Sequence, residues 1–98
     1  VSIRLSKTAP WNPNLWNSYR DRYAEVDGRY FKVSADSLDS LWAVEEIDAD
    51  GETLWDTPDG KYDHRRHGEI DLKFFRWAIR LSEARELIER ETTNQEGA

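Results

Sequence analysis

The stretch EIDLKFFRWAIRLSEARELIERE (Glu69–Glu91) decides how this chain is read. Ile70, Phe74, Trp77, Ala78, Leu81, Ala84 and Ile88 recur at intervals of three and four, which lays them along one stripe of a helix. Phe75, Ile79 and Leu87 widen the stripe, and Glu69 and Asp71 stand in the first turn, where the helix dipole favours acids. The spacing predicts one long helix over 69–91 that buries this face, Trp77 included, against another layer. Residues 92–98 carry no apolar side chain larger than Ala and are expected to fray, leaving 1–91 as a single domain.

The layer under that helix comes from the middle of the chain. From Arg29, Phe31, Val33 and Ala35 alternate with Tyr30, Lys32 and Ser34, as a strand requires. Leu41 to Asp48 forms the next strand, with Trp42 and Val44 on one face. Asp50-Gly51 is the strongest hairpin signal, and Glu52 to Asp56 is the returning strand. Thr57-Pro58-Asp59-Gly60 ends it in a tight turn. Ile3 and Leu5 mark a short strand over Val1 to Lys7, and Pro10, Trp11 and Pro13 an extended loop.

Residues 14–26 read in two ways. Asn14 caps a helix that lines up Leu15, Trp16, Tyr19, Tyr23 and Val26 and stops before Gly28. Alternatively, Tyr23–Val26 is a strand turned by Asp27-Gly28 into Arg29–Val33. The helix is preferred, because the alternation before Asp27 is poor. The expected fold is α+β. It is an antiparallel meander of three strands, or four, with a long C-terminal helix on one face and a short N-terminal helix or strand.

Composition narrows the function classes. The chain has 98 residues, enough for one core. Its apolar share is 38% but it holds five Trp, four Tyr and three Phe, so a few large rings carry much of the burial. It has no Cys, which excludes disulfides and thiolate metal sites and fits a reducing compartment. There is no apolar run of membrane length and no leader pattern, so a cytoplasmic location is expected.

Charge is distributed unevenly. Nine carboxylates lie between Asp36 and Asp59, and no Lys or Arg does. All fourteen basic residues lie outside that window, while the formal net charge is −6. Such a field guides which surfaces can approach. The expected partner-binding set is Asp36, Asp39, Glu45, Glu46, Asp48, Asp50, Glu52, Trp55, Asp56 and Asp59. It would form an acidic, tryptophan-bearing hairpin for a protein with a basic surface, as an accessory or inhibitor protein or a DNA mimic would present. Trp11 and Trp16 either cover the end of the sheet or anchor such a partner.

Other chemistries find less support. Glu46-x-Asp48-x-Asp50-Gly51 has the rhythm of a calcium loop, but the twelfth position is Thr57 where a bidentate Glu is needed, so a β-turn is expected. Asp63-His64-x-x-His67 has Arg65 and Arg66 between its imidazoles, which disfavours a metal. His64, Arg65, Arg66 and His67 make a weak anion site instead. No Gly-x-Ser-x-Gly turn or phosphate loop is present, so neither an enzyme nor a cofactor is expected. The alternative to a protein partner is nucleic acid, contacted through Arg65, Arg66, Arg76 and Arg80. An uncovered sheet edge would also allow a homodimer.

Overall fold

The computed structural model describes residues 3–18, 20–36 and 41–96. Strands β1 (Arg22–Val26), β2 (Arg29–Asp36), β3 (Leu41–Ile47) and β4 (Phe75–Ala78) precede one helix, α1 (Leu81–Glu96). The strands form one antiparallel sheet in the order β1-β2-β3-β4, and α1 packs across it. The α+β class and the C-terminal helix on a meander are as the sequence leads one to expect.

The strand reading of Tyr23–Val26 holds, and the preferred helix over 14–26 does not form. Asp27 and Gly28 both take positive φ, 51° and 80°, the conformation of a two-residue hairpin turn. That turn pairs Val26 with Arg29 and brings β1 beside β2. Ala24 is buried under the helix while Tyr23 is buried on the other face, so β1 shows no clean alternation. Tyr19, which the helix reading used, lies outside the described residues, as do Val1 and Ser2 of the expected first strand. Among that strand's described residues only Ser6 pairs, exchanging two 2.8 Å backbone hydrogen bonds with Tyr23.

The long helix also divides. Its first half is a loop followed by β4, which lies against β3 with Val44 opposite Arg76. Residues 74–79 alternate as well as they stripe: Phe74 and Ala78 enter the helix-side core, while Phe75 and Trp77 take the other face. Trp77 is therefore 50% exposed and not in the core. The slot beside β3 expected for Glu52–Asp56 is taken by β4. The return from the Asp50-Gly51 turn pairs only at Thr53, and Trp55 then bridges Leu72.

The helix begins after Arg80, whose carbonyl accepts the Ala84 amide, and the Glu83 carboxylate reaches back to the Ile79 amide. It buries Ala84, Ile88 and Thr92 in one stripe. It extends to Glu96, and the Thr92 hydroxyl donates to the Ile88 carbonyl at 3.0 Å. The main core joins Phe31, Val33, Val44, Phe74 and Ala78 with Ala84 and Ile88, and Trp42 packs against it. Each of the larger side chains contributes about 1.5–3 kcal/mol on burial. Among the described residues no helix is long and apolar enough to cross a membrane.

Candidate functional site: an acidic turn beside an exposed tryptophan

The described carboxylates of the 36–59 window do not gather on one acidic face. Glu46 is buried on the helix side, where it takes two hydrogen bonds from Arg29 at 2.6 and 3.1 Å. Arg29 also reaches Glu91 of α1 at 3.0 Å, so one guanidinium ties β2, β3 and the helix together. These hydrogen bonds raise the Arg29 pKa further above its ordinary value. Glu46 is therefore a structural ion-pair partner and is not available to a partner molecule. Glu45, on the opposite face, is half-buried and accepts from the Thr53 hydroxyl at 3.4 Å. Asp36 closes β2 opposite Leu41. Asp39 lies outside the described residues.

Asp48, Asp50 and Glu52 come together at the β3 turn. The Asp48 carboxylate accepts the amides of Asp50 and Glu52, both at 2.9 Å. Gly51 completes the turn at φ 87° and donates to the Asp48 carbonyl. Asp48 thus fixes the loop, leaving Asp50 and Glu52 exposed at its tip. This is the β-turn reading of that motif. Among the described residues no three acidic or imidazole side chains converge as a metal shell.

The N-terminal loop is clamped to this turn. The Trp11 indole donates to the Ala49 carbonyl at 2.8 Å and stacks on Tyr30 at 4.5 Å. Leu15 lies so close that a Cβ at Gly51 would meet it at 3.1 Å. Ala9, Tyr23 and Ile47 form a second core beneath. The Tyr23 phenol is pushed above its ordinary range, first by burial and then by the Asp21 charge. With its neighbours held in this way, Trp16 is 81% exposed. The two tryptophans of this loop therefore differ: Trp11 covers the sheet end, and Trp16 stands in solvent. Proline spacing alone could not separate them. The distinguishing feature is the contact of Leu15 and Trp11 with a turn more than thirty residues away.

The rest of the window belongs to a different corner. Trp55 packs edge-on to Tyr62 at 4.9 Å, and the Tyr62 hydroxyl contacts His67 Nδ1. Asp56 is exposed, and its amide donates to the Asp71 carbonyl. Asp59 closes the turn over 57–60, accepting from the Lys61 amide and the Thr57 hydroxyl. Those bonds hold its carboxyl below the ordinary value of 3.8.

The expected anion site lies here too. His64–Arg66 is a single 3₁₀ turn capped by Asp63, beside an open depression of about 700 Å³. Its cations meet carboxylates of their own chain: Arg65 lies 3.2 Å from Asp63, and Arg66 lies 3.7 Å from Glu69. Arg65 keeps the Asp63 carboxyl below its ordinary range. Arg76, on β4, lies over the Phe74 ring, and Arg80 stands just before the helix, so the four arginines of the nucleic-acid reading are spread over three places, with Arg65 and Arg66 together in the 3₁₀ turn. Comparison with protein-family models, with curated proteins and with solved structures found no match.

Proposed function

We propose that the chain is a non-catalytic protein-interaction module. The Asp48–Glu52 turn and Trp16 would dock together on a basic surface of a partner protein. The observation carrying this reading is the 81% exposure of Trp16 on a loop fastened to that turn through Trp11 and Leu15. Folding ordinarily buries so large an apolar side chain, and partners gain most affinity from an indole of this kind. Asp50 and Glu52 beside it would steer and orient a cationic surface while adding less to the affinity. Asp48, as the residue that shapes the turn, would act through them. The reading is narrower than the whole acidic window, because Glu46 is paired internally and Asp59 belongs to another turn.

The test is capture of partners from the native host by the tagged chain, compared with Trp16→Ala and with Asp50→Asn/Glu52→Gln. Trp16→Ala should reduce specific capture at least tenfold with no change in thermal stability. The double variant should reduce capture and remove most of its salt sensitivity. Specific capture that survives both variants unchanged would reject the proposal.

A further inference from the structure

We infer that the outer edge of β4 joins two copies of this chain, antiparallel, about a twofold axis passing beside Trp77. This is independent of the surface around Trp16. β4 is the last strand of the sheet, and among the described residues no strand pairs with its outer side. The phase of its hydrogen bonds determines which residues face outward. The Phe74 carbonyl accepts the Glu46 amide, so along the register Phe74, Arg76 and Ala78 direct their backbone groups toward β3. Those of Phe75 and Trp77 point to the open side. The Phe75 carbonyl is covered by the Arg76 guanidinium at 2.7 Å, which leaves Trp77 as the centre of the exposed edge.

The side chains favour a second copy as the occupant. Phe75 and Trp77 pack edge-to-face at 5.1 Å on the sheet face away from α1, and Ile79 follows just past the strand. Trp77 is 50% exposed and Ile79 66%, an apolar row at alternate positions along one edge. With Trp77 opposite Trp77, Phe75 of each copy meets Ile79 of the other, so every pair in the row is apolar. On the other face Arg76 meets Ala78. Centring the axis one residue earlier would set Arg76 against Arg76, and one residue later would set Arg76 against Arg80. Charge therefore selects the Trp77 register from the three.

The flank of α1 beside this edge fits the same arrangement. Arg80, Glu83, Glu86 and Arg90 line one shallow groove with Ile79, presenting both signs of charge to a twofold mate. The net charge of −6 on each copy opposes association, so added salt should strengthen pairing. Docking of a basic partner at the acidic turn should show the opposite salt dependence. The two surfaces can therefore be tested apart.

The experiment is sedimentation velocity on the full chain over roughly 1–100 μM, a range suited to a small, transient interface. The native chain should pass from monomer to dimer, with tighter association at higher salt. Trp77→Lys should weaken the dimer at least tenfold. Ile79→Lys, which lies outside the strand and so leaves the β3 ladder alone, should weaken it similarly. Because the chain has no cysteine, Trp77→Cys and Arg76→Cys report the register by oxidation. Directly opposed hydrogen-bonded positions lie about 5.5 Å apart at Cα, within disulfide reach, so Trp77→Cys should cross-link faster than Arg76→Cys. A native chain that stays monomeric across the range would overturn the inference. So would a dimer unaffected by both lysine variants, or faster cross-linking by Arg76→Cys.

Discussion

Arg29 is the residue on which the layers converge. Its guanidinium serves Glu46 and Glu91 at once, with its side chain 14% exposed and that of Glu46 4%. Removing it would leave the Glu46 carboxylate buried without a counter-charge. Arg29→Met is expected to destabilise the protein by about 3 kcal/mol in urea unfolding. Arg29→Met/Glu46→Leu should recover much of that loss, because no uncompensated charge remains. Asp59 acts through pH instead. Its folded pKa lies below the unfolded one, so its contribution is present above the ordinary value of 3.8 and fades as pH falls through the lowered folded value. Thermal melts from neutral pH down to about pH 3 should therefore fall less steeply for Asp59→Asn than for the native chain.

At the level of elements, the two misread segments share one cause. Each carries apolar side chains on both faces of a strand, with both faces covered at Tyr23-Ala24 and one left open at Phe75 and Trp77, and such a run satisfies helical and strand periods together. Residues 74–79 are rich in aromatic and β-branched side chains, a strand signal that the continuing stripe into Leu81, Ala84 and Ile88 masks. What settles them is a long-range fact, the vacancy beside β3 that β4 fills. Turn chemistry is local and so more legible: Asp50-Gly51 and the Pro58-containing turn form where expected, and Asp27-Gly28 makes the hairpin that the sequence offered as its second reading. Glu46 was not legible, since no local pattern marks a carboxylate that faces an arginine seventeen residues away. The turns also differ in tolerance. Gly28→Ala meets nothing within 4 Å and should cost about 1 kcal/mol for its positive φ alone. Gly60→Ala would also drive its Cβ to 2.7 Å from Leu54, so denaturant titration should show a larger loss, about 2 kcal/mol.

Across the whole molecule, apolar side chains escape burial at two separated places, the Trp16 loop and the β4 edge. The first adjoins a turn of exposed carboxylates, and the second is flanked by arginines and a mixed-charge helix flank. Iodide quenching of tryptophan fluorescence should single out Trp16 as the most accessible indole, and Trp16→Ala should remove the largest single share of the quenchable signal, with Trp77 next. The same substitution should leave sedimentation of the native chain unchanged, since Trp16 belongs to the other surface.

The sheet's opposite border has its own consequence. Ser6 already occupies the outward backbone groups of Tyr23 on β1, and the next outward position, Glu25, is an exposed carboxylate. Growth by strand addition should therefore be one-sided: pairing of two β4 borders would use the open edge of each copy, and the expected product is a closed pair rather than a fibre.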